Sequence, residues 1–454
     1  MIQLMKSINP KDGKIIQSYE ALSESEVKRR IENAHKAQLE WKIKSFSERG
    51  KFLLTVKERL LQRKDELARL MALEMGKPLK EGVSEIEKCA WVCEYYAEKA
   101  EGFLSPLKIE TDFSLSKVVY NPLGVVLAVM PWNFPFWQVF RFAAPGLMAG
   151  NVGVLKHASN VSGCALAIEE LFSNEHQLFQ TLLIPSQDVE KVITHPRIAA
   201  VTLTGSTKAG KSVARIAGEE LKKCVLELGG SDPYLILEDA DLKLAAELCT
   251  KSRLINGGQS CIAAKRFIIH SKVHDEFVSL MKSEMEKLKQ GDPLESGIDL
   301  GPMARVDLRD DLHQQVEKSL MKGAECILGG KIPEGPGAFY PPTILTNVKP
   351  GMPAYEEEIF GPVASIIKVD SLKEAITIAN TSSYGLGSGV FTRNAEEGER
   401  IATFELEAGS SFVNDFVKSD PRLPFGGIKE SGFGRELSEF GIREFVNIKT
   451  VCVR

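Results

Sequence analysis

Three short stretches of this chain hold residue types that could do covalent chemistry on a carbonyl carbon. Asn256-Gly257-Gly258-Gln259-Ser260-Cys261 sets a thiol behind a run of small residues, which lets the backbone turn tightly and a substrate come close. Taken alone, a cysteine in such a loop is more often inert; as a thiolate it is a nucleophile. Cys224-Val225-Leu226-Glu227-Leu228-Gly229-Gly230 ends a strand-like run in a carboxylate and two glycines. Glu227 reads either as a solvated charge or, with a raised pKa, as a base that activates water. Pro131-Trp132-Asn133-Phe134-Pro135 buries an amide in an apolar run, which is costly unless it is paired. Asn133 is then a turn residue or a donor aimed at an oxyanion.

The elements that must position these groups follow from hydrophobic period. The first hundred residues read as helices. Ser23 and Glu26 have capping-box spacing, and Val27, Ile31, Ala34 and Trp41 share a helical face. A second helix around 52–71 stops at Gly76-Lys77-Pro78, and a third covers 85–100. From Lys117 the period shortens: SKVVYN, GVVLAV, VGVL, AAVTLT and YLILEDA read as strands, each of the later ones followed by a helical pattern. KRFIIH, VASIIKV, SGVFT and SSFVN continue the series. Alternation of this kind predicts an α/β fold with doubly wound parallel sheets.

Composition narrows the class. A chain of 454 residues is long enough for two or three domains. Its 43% apolar and 26% charged content is that of a globular protein, and a net charge of -4 without basic runs argues against a nucleic-acid partner. The first residues lack a signal-peptide core and no apolar run reaches membrane-span length, so a cytoplasmic protein without membrane contact is expected. Eight cysteines show no paired framework, and Cys89 and Cys93 lack the His or second pair that would complete a metal site. Reduced cysteines and no metal are expected.

PWNFP, ELGG, GQSC, EEIFGP and PFGGIKESGFGREL stand in this order over nearly the whole chain. Together they resemble the aldehyde dehydrogenase superfamily, and KCVLELGGSDP, LGPMARVDLRDDLHQQVEK and SGFGRELSEFGIREFVNIKTV are similar to its short bacterial succinate-semialdehyde branch. The resemblance implies that Cys261 attacks the aldehyde, that Asn133 and the Cys261 backbone N–H stabilise the oxyanion, and that Glu227 activates the hydrolytic water. The products would be a carboxylic acid and reduced NAD or NADP. No G-x-G-x-x-G follows a strand; instead AAVTLT runs into Thr204-Gly205-Ser206-Thr207, a glycine turn entering a helix whose N-terminus suits a pyrophosphate. The resemblance places the coenzyme there, with Ser206 near the phosphates, Lys156 at the adenosine ribose, and Glu358 and Phe360 at the nicotinamide ribose. Trp132 is expected beside the coenzyme and, with Phe425, along the aldehyde channel. Ser159 stands where NAD-selective relatives carry a glutamate, so NADP is expected to be tolerated. His157 replaces the usual proline after the lysine.

For the substrate, Arg141 lies six residues after Pro135 in an apolar segment and needs an anionic partner. That partner is a protein carboxylate in a structural salt bridge, or the far carboxylate of a semialdehyde. The semialdehyde enzymes have an arginine at this position and a serine six residues before the phenylalanine of PFGG, here Ser419 and Phe425. A second arginine of the longer members is replaced by Ile255, with Arg253 as the substitute considered. Ala263 removes the second cysteine that some relatives oxidise. The resemblance further implies a coenzyme-binding domain from 1–104 and 123–229, a catalytic domain from 230–430, and a small β oligomerisation unit from 105–122 and 440–454. KVVYNPLGVV and FVNIKTVCV are apolar strands expected to seek a partner edge, giving a homodimer or homotetramer. Rival readings are oxidation of another small aldehyde (glutarate semialdehyde, a betaine or an aliphatic aldehyde), transfer of the thioester to coenzyme A or phosphate, and a catalytically idle structural relative.

Overall fold

The computed structural model describes residues 4–173 and 177–454. The described chain opens with an antiparallel hairpin of β1 (Leu4–Ile8) and β2 (Ile15–Glu20) rather than with a helix. Met5 and Ser7 turn inward while Leu4, Ile8, Ile15 and Ile16 face solvent, so the inward alternation is carried by too few apolar residues to stand out in the sequence. Four helices follow: α1 (Glu24–Trp41), α2 (Phe46–Gln62), α3 (Lys64–Met75) and α4 (Leu79–Phe103). Ser23 caps α1 by accepting from the Glu26 N–H (3.2 Å), but the Glu26 carboxylate turns to Arg29 instead of completing the box. The reciprocal box forms at Ser45 and Glu48 on α2. The helix expected over 52–71 is two helices, broken at Arg63 (φ −103°, ψ 9°). Gly76, at φ +79°, ends α3 in the left-handed conformation that its place before Lys77-Pro78 suggests.

After β3 (Leu107–Lys108) and β4 (Leu115–Pro122) the chain builds its first large sheet. The order along the chain is β5 (Val125–Met130), α5 (Trp137–Met148), β6 (Val152–His157), α6 (Ser162–Leu171), β7 (Phe179–Thr181), α7 (Val189–Ile193), β8 (Ile198–Thr204), α8 (Thr207–Glu219) and β9 (Lys223–Glu227). These strands are parallel in the order β9-β8-β5-β6-β7. Because β5 sits between β6 and β8, strand order reverses there, and a crevice opens at the carboxyl ends of β5 and β8.

The second large sheet takes β10 (Asp232–Ile236), α9 (Leu242–Leu254), β11 (Ala264–His270), α10 (His274–Glu286), α11 (Val306–Met321), β12 (Glu325–Leu328), β13 (Thr343–Thr346), α12 (Pro353–Glu356) and β14 (Val363–Val369). It continues through α13 (Leu372–Asn380), β15 (Tyr384–Gly385), β16 (Gly387–Phe391), α14 (Ala395–Phe404) and β17 (Ser410–Val413). The order is β12-β13-β14-β11-β10-β16-β17, parallel except for β12 against β13. Alternate residues feed two faces: Leu235, Ile268, Leu345 and Ile367 join one apolar cluster, and Ile236, Phe267, Ile344 and Ile366 the other. Burial on both faces is why these strands read as unbroken apolar runs.

The tail returns to all of this. β18 (Ile428–Lys429) pairs β15, and β19 (Gly432–Phe433) adds an antiparallel edge beside β9 of the first sheet. After α15 (Ser438–Arg443), β20 (Val446–Val453) lies against β4 from Val446 opposite Pro122 to Val453 opposite Leu115. The two segments expected to seek a partner edge thus find each other, and Val125 and Val126 of the first go instead into the centre of the first sheet. Among the described residues no helix is long and apolar enough to cross a membrane.

Candidate active site

Cys261 is placed by the link between α9 and β11. Asn256 (φ +53°), Gly257 (+61°) and Gly258 (+75°) are three successive left-handed residues that swing the chain back on itself. At Gly258 a Cβ would lie 2.2 Å from the Gly361 carbonyl oxygen, so glycine is required there. The Asn256 amide donates to the carbonyls of Asn133 (2.7 Å) and Gln259 (3.2 Å), and the Asn133 amide donates to the Gln259 carbonyl (3.1 Å). The oxyanion candidate and the thiol loop are therefore tied to one another, and Asn133 keeps a second N–H beyond that bond. Beneath the loop, buried Lys265 donates to the carbonyls of Ser260 (2.9 Å), Cys261 (2.7 Å) and Ala263 (3.2 Å). Arg253 donates to the Gly258 carbonyl (2.7 Å). Sequence reading offers Arg253 as a substrate cation; the structure corrects this, because α9 ends by burying it completely under the loop, away from the cavity that reaches the thiol.

Glu227 ends β9, fully buried, with both carboxylate oxygens free of hydrogen bonds. Burial, reinforced by the Glu436 carboxylate, holds its pKa well above the carboxylate range, against the pull of Arg141 and Arg435. Burial likewise pushes the Cys261 thiol up to about 12, while Arg141 and Lys265 work to lower it. Arg141, on α5, forms a buried ion pair with Glu436 (Nε–Oε2 2.7 Å), lies 4.5 Å from the Phe425 ring centroid, and donates weakly to the Thr204 hydroxyl (3.4 Å). Of the two partners open to Arg141, the protein carboxylate is the one present, and the side chain still faces the cavity.

At the crevice between β5 and β8, Ser206 caps α8 by accepting from the Ala209 N–H (3.3 Å), and Gly205 is open, a Cβ there meeting only Leu203 at 3.6 Å. Lys156 ends β6, buried, its pKa lowered by burial, with Nζ donating to the Ser186 hydroxyl (3.3 Å). Ser159, exposed, begins the short turn just beyond it, whose Asn160 and Val161 are buried. His157 accepts from the Ala158 N–H at Nδ1 (2.9 Å), so Nε2 carries the hydrogen and donates to the Pro135 carbonyl (2.9 Å), fastening β6 to the Asn133 turn. Glu358 accepts from the Gly230 N–H (2.9 Å) and lies 3.7 Å from Lys265. A Cβ on Gly229 would sit 2.5 Å from the Glu358 carboxylate, so the glycines after Glu227 let that carboxylate in. Trp132 meets Phe360 edge-on at 5.8 Å. An open helix N-terminus at Gly205–Ser206, a buried ammonium at Lys156 and the Glu358 carboxylate offer the N–H donors, cation and acceptor that a dinucleotide's phosphates and riboses take.

A cavity of about 610 Å³ runs from the surface to Cys261. Phe134, Trp137, Arg141, Ile255, Ser419 and Phe425 line it. The channel tryptophan is Trp137 rather than Trp132, because Trp137 opens α5 facing the cavity while Trp132 turns back onto Phe360. The Ser419 hydroxyl accepts from Trp137 Nε1 (3.1 Å) and from Lys88 Nζ (2.8 Å). Lys88 and Lys265 belong to this site and carry no mark in the sequence, and Glu436, though it stands in the PFGGIKESGFGREL motif, is assigned no role there. Lys88 reads as one charge on an amphipathic helix, and nothing in spacing couples Glu436 to a residue almost three hundred positions earlier. Glu85 is a fourth: its carboxylate accepts from the Phe136 and Trp137 N–H groups (2.9 and 3.0 Å) at the start of α5 and pairs with Lys77.

Comparison with known proteins follows the same outline. Residues 2–451 match the model of the aldehyde dehydrogenase family. A protein of Synechocystis sp. named probable succinate-semialdehyde dehydrogenase [NADP(+)] is 50% identical over 450 residues, 98% of this chain and 99% of that protein. The succinate-semialdehyde dehydrogenase [NADP(+)] of Mycobacterium avium is 46% identical, covering 98% of this chain and 96% of its own. The crystal structure of succinic semialdehyde dehydrogenase from Streptococcus pyogenes in complex with NADP+ superposes with a TM-score of 0.96 at 39% identity, over 99% of each chain.

Proposed function

This chain belongs to the aldehyde dehydrogenase family, and from that premise we propose that it oxidises succinate semialdehyde to succinate with NADP or NAD as the hydride acceptor. The observation that carries the reading is the cavity leading to Cys261, whose walls hold Arg141 and Ser419 and whose floor adjoins the unpaired Glu227 carboxyl. A second charge at the far end of a four-carbon aldehyde suits a channel walled by cations and hydroxyls.

The residues divide the work as follows. Cys261 sulfur attacks the aldehyde carbon, and the C–S bond forms as the carbonyl oxygen becomes an oxyanion. The free N–H of Asn133 and the backbone N–H of Cys261 stabilise that charge; removing one such donor costs about 10²–10³ in rate. Bound in the crevice, the nicotinamide coenzyme supplies the acceptor for the hydride that leaves this carbon. A thioester on Cys261 results. Glu227 then takes a proton from water, the water oxygen attacks the thioester carbon, and the C–S bond breaks to release the acid. A raised pKa suits Glu227 to this step, since the carboxylate is a stronger base once formed. Ser159 places no carboxylate against a 2′-phosphate, which supports use of NADP. We assign the coenzyme domain to 1–104 and 123–229 (residues 1–3 lie outside those described), the catalytic domain to 230–430 and the assembly unit to 105–122 and 440–454. We further assign a cytoplasmic homodimer or homotetramer.

The test is the initial rate of reduced-coenzyme formation with succinate semialdehyde against butanal, each with NAD and with NADP. A preference for the charged aldehyde of at least about 100-fold in kcat/KM, abolished with all turnover in Cys261→Ala, is the expected result. Equal rates for the two aldehydes would leave the oxidation standing and remove succinate semialdehyde as the substrate.

A further inference from the structure

Of the five cations that line the cavity, Lys80, Lys251 and Lys418 are exposed; of the two that are not, buried Arg141 and half-buried Lys88, only one is answered. Arg141 has Glu436. Lys88 projects from α4 into the same cavity, yet no carboxylate among the described residues is bonded to it. The nearest acids are engaged elsewhere. Asp420 holds Arg422 (Nε 2.9 Å, Nη2 2.6 Å), and Glu85 holds Lys77 and the start of α5. What Lys88 has instead is a socket. Its Nζ donates to the Ser419 hydroxyl (2.8 Å) and rides 4.4 Å from the Trp137 ring centroid, and Trp137 Nε1 donates to the same hydroxyl (3.1 Å).

Two donors on one hydroxyl oxygen occupy its acceptor positions, so the Ser419 hydrogen is left to donate. The ammonium keeps N–H bonds beyond the one to Ser419. An ammonium and a hydroxyl hydrogen, held side by side at the wall of a cavity, form a receptor for a carboxylate. Burial and the repulsion of Arg141 push Lys88 down to about 8, the mark of a charge that lacks its counter-ion.

Building on the reading that the substrate is a semialdehyde, we propose that its distal carboxylate is bound by Lys88 and Ser419, with Trp137 fixing both, and that Lys88 sets the preference for anionic aldehydes. Arg141, held by Glu436, then acts nearer the thiol, where its charge favours the Cys261 thiolate.

The experiment compares wild type, Lys88→Met and Lys88→Arg by the ratio of kcat/KM for succinate semialdehyde to that for butanal. Inhibition of butanal oxidation by succinate is measured alongside. Losing one charge-assisted contact in Lys88→Met is expected to lower the ratio about 10- to 100-fold, mostly through KM, and to weaken succinate by a similar factor. Lys88→Arg, which keeps the charge, is expected to restore most of both. Butanal turnover in the same preparation reports folding, and Lys88→Gln replaces the methionine variant if that one fails to fold. A wild-type ratio and succinate affinity retained without the lysine charge would overturn the proposal while leaving the semialdehyde reading intact. Absence of any preference in the wild type would overturn both.

Discussion

At Cys261 the field of the free protein favours the thiol. Burial raises its pKa to about 12, and the nearby Arg141 and Lys265 charges only partly offset this. The reactive form is the thiolate, so reactivity must increase with pH all the way toward that value, with no plateau near neutrality. Alkylation of the coenzyme-free protein by iodoacetamide, followed as loss of activity, is expected to speed up about tenfold per pH unit from 6 to 9. A plateau below pH 8 would show that Arg141 and Lys265 outweigh burial. Glu227 obeys the same sign: burial and the Glu436 carboxylate raise its pKa, so its base form is recruited as pH rises. These two residues were legible as chemistry from type and neighbours alone. Their protonation was not, because it depends first on burial and then on charges such as Arg141, which reach them only through the fold.

The element that decides whether the thiol is usable is the turn from α9 into β11. Its left-handed run at Asn256–Gly258 is stabilised by Asn133, Gln259 and the three carbonyls gripped by Lys265. Gly258→Ala combines a positive φ with a Cβ driven into the Gly361 carbonyl, a clash with backbone that cannot turn aside. The expected cost is about 2–3 kcal/mol of stability together with a loss of kcat of tenfold or more. Chemical denaturation and steady-state rates would measure the two. Gly257→Ala is the control, since a Cβ there meets only the far end of Gln259 at 3.6 Å. The glycines were visible in the sequence as a reason for a tight turn. Lys265 was not, since a lysine entering an apolar strand gives no hint that three carbonyls await it.

Across the whole molecule, the tail ties the parts together. β19 borders the first large sheet, and β20 is an outer strand of a three-stranded sheet with β4 and β3, its far edge paired with no strand among the described residues. Ile448, 62% exposed, and Val453, 48%, stand on that edge strand. An apolar edge of this kind is suited to pairing with another copy. Light scattering at micromolar concentration is expected to give two or four times the 50.1 kDa chain mass. Ile448→Asp is expected to weaken the assembly about tenfold or more, with catalysis per folded subunit serving as a check on integrity. A wild-type monomer would refute this.

Residue type and near spacing marked Cys261, Glu227 and Asn133 as candidates, the family resemblance implied a role for each, and periodicity predicted a parallel α/β architecture. Those features are written in residue type and near spacing, where a strand or a glycine turn dictates its own signal. The first hairpin was missed because its inward face carries only Met5, Ser7 and Tyr19 among many exposed positions. Tertiary structure alone decided where the charges went. It turned Arg141 to Glu436, drew Arg253 beneath the thiol loop, and set Lys88 beside Ser419, 331 residues away along the chain. An ion pair between distant segments leaves no trace in either one, because a charged side chain must be satisfied somewhere, and only the packed fold determines by whom.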